Sequence, residues 1–151
     1  MIKTRVLFVC IHNSARSQMA ETFLNDLGKE TFIAESAGIE AGTLNPIVVE
    51  AMKEVGYDIS KNETNSVFEF FKAGKQYDLV VKVCDTVNGQ LCPVFPGTKA
   101  ELYWNITDPS ALAGTKEEKL NEIRKIRDLI RGKVEALIQD FKLIRPLPLD
   151  L

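Results

Sequence analysis

Cys10 and Arg16 stand six positions apart in FVCIHNSARSQ. The pair suggests one chemistry. A thiolate is a strong nucleophile, and a guanidinium fork matches two oxygens of a tetrahedral oxyanion. Backbone N–H groups of the intervening Ile11, His12, Asn13, Ser14 and Ala15 could line a cradle for the same anion. Ser17 could donate a hydrogen bond to the sulfur, and Asn13 could hold the loop in shape. Thiols at helix N-termini beside arginines ionise readily, so the loop would activate Cys10 and bind its target together. His12, the only histidine, offers a base or a metal ligand, or simply a polar loop residue. Two further thiols, Cys84 and Cys92, stand in VKVCDTVNGQLCP.

Such a loop needs a strand before it and a helix after it. Arg5–Val9 is a continuous apolar run, and Ser17–Leu27 carries Met19, Ala20, Phe23, Leu24 and Leu27 at helical spacing before Gly28. Thr31–Ser36 reads as a second strand, with Gly38 and Gly42 in the loop behind it. Asn45-Pro46 opens a helix that stops at Gly56. Ser66–Lys72 is a short helix, Tyr77–Val83 a third strand and Lys99–Tyr103 a weaker fourth. Thr115 and Glu118 form a capping box ahead of a long amphipathic helix built on Leu120, Ile123, Ile126, Ile130, Val134, Leu137 and Ile138. The prolines of RPLPLDL, residues 145–151, break it. Strand–helix alternation predicts an α/β domain with a parallel sheet and helices on both faces. Ligands of such sheets sit at the carboxyl ends of the strands, where Cys10 falls.

The 151 residues suit one domain, 1–151. A net charge of -2 argues against nucleic-acid or anionic-membrane partners, so an anion site must be local. No apolar run is long enough to span a membrane, and the N-terminal run is too short for a secretory signal. A cytoplasmic location is expected, and a monomer. Three cysteines are an odd number, which in a reducing compartment favours free or redox-cycling thiols over structural disulfides.

The segment CIHNSARS resembles the Cys-x5-Arg-Ser loop of the low-molecular-weight phosphotyrosine phosphatases and of the thioredoxin-coupled arsenate reductases built on that fold. ESAGIEAG (35–42), NPIVVEAMKEVGYDIS (45–60) and TDPSA (107–111) extend the resemblance over nearly the whole chain. It implies a four-stranded parallel sheet flanked by helices, with the Cys10 loop as active site. Asp108 matches the family's general acid, although Asp-Pro is also an ordinary turn former.

Two features separate the branches. Phosphatases of this family usually carry aromatic residues after that aspartate, and DPSALAGT has none, which favours a small inorganic oxyanion. Cys84 follows the third strand on the same rim as Cys10, and the spacer to Cys92 can bend. As residues alone, the two cysteines also fit a hairpin at Asn88-Gly89 or, less well, a zinc site. The resembled reductases imply a relay. Cys10 attacks arsenate, Cys84 attacks Cys10 and releases arsenite, and Cys92 attacks Cys84 to leave a disulfide that thioredoxin reduces. No bound cofactor is implied, and phosphate or sulfate would compete with arsenate. The alternative is a phosphatase whose extra thiols protect Cys10 from over-oxidation, and a third reading is an oxyanion sensor without catalysis.

Some members of the family bind potassium at positions matching Asn13, Glu21, Ser36 and an aspartate where this chain has Asn65. The loss of that carboxylate weakens the expectation. The family commonly has glycine at His12, so a strained backbone is expected there.

Overall fold

The structure, a computed structural model, describes residues 2–84 and 95–144. Its elements run β1 (Thr4–Cys10), α1 (Arg16–Leu27), β2 (Phe32–Gly38), α2 (Pro46–Glu54), α3 (Val67–Lys72), β3 (Leu79–Cys84), β4 (Ala100–Asn105) and α4 (Lys116–Ile144), with a 3-10 turn at Pro109–Ala111. The four strands pair in parallel in the order β2-β1-β3-β4. The chain therefore leaves β1 towards one edge and returns to its other side, so the strand order reverses at β1 and β3. The crevice at that switch is where the Cys10 loop emerges.

β1 is buried from Val6 to Cys10 because both faces of the sheet are covered. Val6 and Phe8 join a core with Met19 and Phe23 of α1, Met52 of α2 and Ile123 and Ile130 of α4. Leu7 and Val9 point the other way, towards Val67 of α3, Tyr77, Val80 and Phe95. The period of two along one strand thus builds two cores. On α4 the expected stripe is the buried one: Leu120, Ile123, Ile126, Ile130 and Val134 are buried, and Leu137 and Ile138 pack against them.

The local signals act as their chemistry requires. Asn45 Oδ1 accepts from the N–H of Ile47 at 2.9 Å and caps α2. Thr115 and Glu118 exchange the two bonds of a capping box at 3.1 and 2.8 Å. Each strand differs from expectation by one or two residues at its ends, β1 being Thr4–Cys10 and β4 running on to Asn105. β2 runs on through Gly38, which pairs with Cys10. β3 begins at Leu79, not Tyr77, because Asp78 Oδ2 takes the N–H of Arg5 at 2.9 Å, a donor the ladder would otherwise use. Among the described residues no helix is long and apolar enough to cross a membrane. Cys92 and 145–151 lie outside the described residues, as does the 85–91 spacer.

Candidate active site

The loop from Ile11 to Ala15 is anchored through its carbonyls. Those of Cys10, Ile11, His12 and Ser14 accept from the N–H groups of Ile39, Glu40, Gly42 and Asn45 at 2.9–3.1 Å. A trans peptide points its C=O and the next N–H in opposite directions. Drawing these oxygens towards 39–45 therefore turns the N–H groups of Ile11, His12, Asn13 and Ala15 the other way, onto the side of the Cys10 sulfur. The N–H of Asn13 does reach that sulfur, at 3.2 Å. The approach of the two segments is close enough to require glycine. A Cβ on Gly38 would fall 2.6 Å from backbone atoms of His12 and Asn13.

Asn13 bears the conformational load. It is the one non-glycine residue at positive φ (56°) among those described, a region asparagine tolerates better than most residues. His12 is not in that region, so the strain expected there falls one residue later. The buried Asn13 side chain uses both ends. Its amide donates to Ser17 Oγ at 2.8 Å and Ser36 Oγ at 2.9 Å, and its Oδ1 accepts from Gln18 Nε2 at 3.2 Å and the Asn65 N–H at 2.8 Å.

Ser17 Oγ lies 2.8 Å from Cys10 Sγ. Because that hydroxyl oxygen already accepts from Asn13, its proton can point at the sulfur. Two donors then converge on Cys10, which is itself buried. Arg16 opens α1 and is only 2% exposed. Its Nη1 donates to the Ile106 carbonyl at 2.8 Å, just beyond β4, and its Nη2 lies 3.6 Å from Asp108 Oδ2. Asp108 is fixed from its other oxygen, which accepts from the N–H and hydroxyl of Ser110 at 2.9 and 2.8 Å. Cys10, Arg16 and Ser17 at the two ends of the β1–α1 loop and Asp108 from the segment after β4 thus come together.

Behind the loop, Ser36 passes the network to Glu21, donating to Oε1 at 2.5 Å. Burial raises the Glu21 carboxyl above its ordinary range, and the Ser36 bond offsets only part of this. Asn65 Nδ2 donates to the Ser36 carbonyl at 3.1 Å. The four positions considered for potassium are therefore contiguous. Their donor set fits a cation poorly: the Asn13 oxygen already takes two N–H groups, and Asn65 turns an amide N–H inward where a carboxylate would serve an ion. Among the described residues, no three His, Cys, Asp or Glu side chains cluster as a metal site.

His12 stands at the rim, half exposed, with Nδ1 3.7 Å from Glu40. Cys84 ends β3. Val9 pairs with Lys82, so Cys84 lies one register step past Cys10 on the neighbouring strand. Two contributors escaped sequence reasoning: Gln18, buried and joining Asn13 to the Glu63 carbonyl, and the Ile106 carbonyl that orients Arg16.

Residues 5–145 match the family model for low molecular weight phosphotyrosine protein phosphatase. The chain belongs to this family. Within the low molecular weight phosphatase family, it is similar to an arsenate reductase of Halalkalibacterium halodurans, 36% identical over 142 residues that cover 94% of this chain and 100% of that one. An arsenate reductase of Bacillus subtilis is 37% identical, with coverage of 91% and 96%.

Among solved structures, an arsenate reductase in the phosphate binding state superposes with a TM-score of 0.76 at 31% identity, covering 91% of this chain and 98% of that one. A thioredoxin-dependent arsenate reductase of Corynebacterium glutamicum gives 0.66 at 26% identity, with coverage of 93% and 63%. A low molecular weight protein tyrosine phosphatase from T. tengcongensis gives 0.72 at 28%, with coverage of 91% and 99%. Both branches share this fold.

Proposed function

We propose that this protein is an arsenate reductase that works by a relay of Cys10, Cys84 and Cys92 and is regenerated by thioredoxin. The observation that carries the reading is the placement of two cysteines on adjacent parallel strands, Cys10 closing β1 and Cys84 closing β3 one register step further. A phosphatase needs only the first. The names of the curated relatives and the lack of aromatic residues in DPSALAGT point the same way.

Arsenate enters the cradle with its oxygens on the loop N–H groups and the Arg16 fork. The Cys10 thiolate attacks arsenic(V). One oxygen leaves as water, and Asp108 supplies a proton to it. Cys84 then attacks Cys10 Sγ, the S–As bond breaks and its electron pair stays on arsenic, giving arsenite and a Cys10–Cys84 disulfide. Cys92 attacks Cys84, freeing Cys10 as a thiolate and leaving Cys84–Cys92 for thioredoxin. Phosphate and sulfate, being tetrahedral oxyanions, compete for the cradle without accepting electrons. Asn13, Glu21, Ser36 and Asn65 hold the loop, and no step passes through a cation.

Cys92→Ser tests the relay. With reduced protein and arsenate, the variant releases one arsenite per chain and stops with Cys10 joined to Cys84, seen by peptide mapping. Steady turnover of an aryl phosphate by Cys92→Ser, with no arsenite formed, would assign the site to a phosphatase instead.

A further inference from the structure

At the end of the sheet opposite Cys10 lies an apolar groove of about 520 Å³ that the reaction does not use. Leu79 and Ala100 start β3 and β4 on its floor, Leu102 follows on β4, and Leu137 and Phe141 of α4 form a wall, with Ile2 among its lining residues. Leu102, on the edge strand β4, is 36% exposed, and Ile2, ahead of β1, is 94% exposed. Lys3, Lys99, Asp78 and Asp140 also line the groove, and Lys99 Nζ lies 3.8 Å from Asp78 Oδ1.

The family match ends at residue 145, one residue past α4. Residues 146–151, PLPLDL, lie beyond it and outside the described residues. We propose that this segment is the groove's occupant, with leucine side chains laid across β4 and the end of α4.

Three features of the sequence and the groove fit one another. Pro146 lacks the N–H that a continuing helix would need, and a residue before proline is disfavoured in helical geometry, which favours a turn away from the α4 axis. An extended backbone puts Leu147, Leu149 and Leu151 on one side, an apolar edge to match an apolar floor. Reach suffices: six extended residues span about 20 Å, whereas Leu137 lies about 10 Å back along the helix from Ile144. The prolines lack N–H donors, so side-chain burial and not strand addition to β4 would hold the segment.

The test compares hydrogen exchange in the full chain, in Leu147→Ser/Leu149→Ser and in a chain stopped at Ile144, with sedimentation in parallel. Docking predicts at least tenfold faster exchange in both variants at 100–103 and 137–141, unchanged exchange in β1 and α1, and an unchanged association state. The serine pair serves alone if the shortened chain is unstable. Equal exchange in all three proteins would overturn the proposal. So would protection that rises with protein concentration alongside a dimer in sedimentation, which would give the groove to a second copy.

Discussion

Glu21 and Glu35 are the same side chain put to opposite use in two regions of the molecule. Glu21 stands behind the Cys10 loop, where burial raises its carboxyl and its hydrogen-bond donor is the uncharged Ser36 hydroxyl. Glu35 stands in the middle of β2 beside Ser36, with its side chain on the other face of the sheet. Burial opposes its charge too, yet Tyr77 at 2.7 Å, Lys75 at 3.1 Å and Arg5 nearby hold its carboxyl below the ordinary range. The region around the loop is built from amides and hydroxyls, which orient one another without a strong local charge of their own. The other face uses full charges to fasten β1, β2 and the segment before β3 together. One is a positioning network and the other is a clamp.

The largest effect should come from breaking the positioning side at its charge. Arg16→Lys keeps a cation but loses the fork and the bond to the Ile106 carbonyl. Arsenate kcat/KM should fall about 10²–10³-fold, measured by arsenite release, with the fold intact by circular dichroism.

Asn13→Ala comes next. Alanine at positive φ is strained and removes the Asn13 bonds to Ser17, Ser36, Gln18 and the Asn65 N–H. Stability should drop about 2–3 kcal/mol in urea unfolding, and kcat about 10²-fold through a misplaced loop.

Smaller, and most telling for the comparison, are the two glutamine substitutions. Glu35 has a lowered folded value, so its stabilisation is complete above the ordinary carboxylate range and lost as pH falls through the folded value. Glu35→Gln should therefore cost about 1 kcal/mol at pH 7, the partly exposed ion pairs being screened, and little in strong acid. Glu21 has a raised folded value, so its ionisation costs stability as pH rises through that value. Glu21→Gln should raise the melting temperature at pH 7, and the gain should vanish as pH falls. Melting curves across pH check both, and shifts of the same sign would erase the distinction between the regions.

Much of the positioning region was legible in the sequence because its chemistry is local. Cys10, Asn13, Arg16 and Ser17 sit within one turn and one loop, and their spacing already implies an anion cradle. The parallel sheet was legible for a similar reason, since apolar runs and helical stripes alternate along the chain.

What escaped depends on register and on atoms without a side-chain signature. Gly38 looks like an ordinary loop glycine until the Cys10–Gly38 pairing brings it against His12 and Asn13. The Ile106 carbonyl that aims Arg16 belongs to the backbone, where residue type says nothing. Gln18 reads as a polar helix position, yet it is buried because the 62–65 segment closes over it. Glu35 of β2 meets Lys75 and Tyr77 of the segment before β3, about forty residues further along the chain, a distance no periodicity bridges.

The relay is most directly tested by counting thiols in a single turnover. Fully reduced protein is mixed with excess arsenate and no external reductant, then alkylated and mapped by mass spectrometry. Free thiols should fall from three to one, with Cys84 joined to Cys92 and one arsenite released per chain. Survival of all three thiols would contradict the relay and leave Cys10 and Arg16 as the core of a phosphatase.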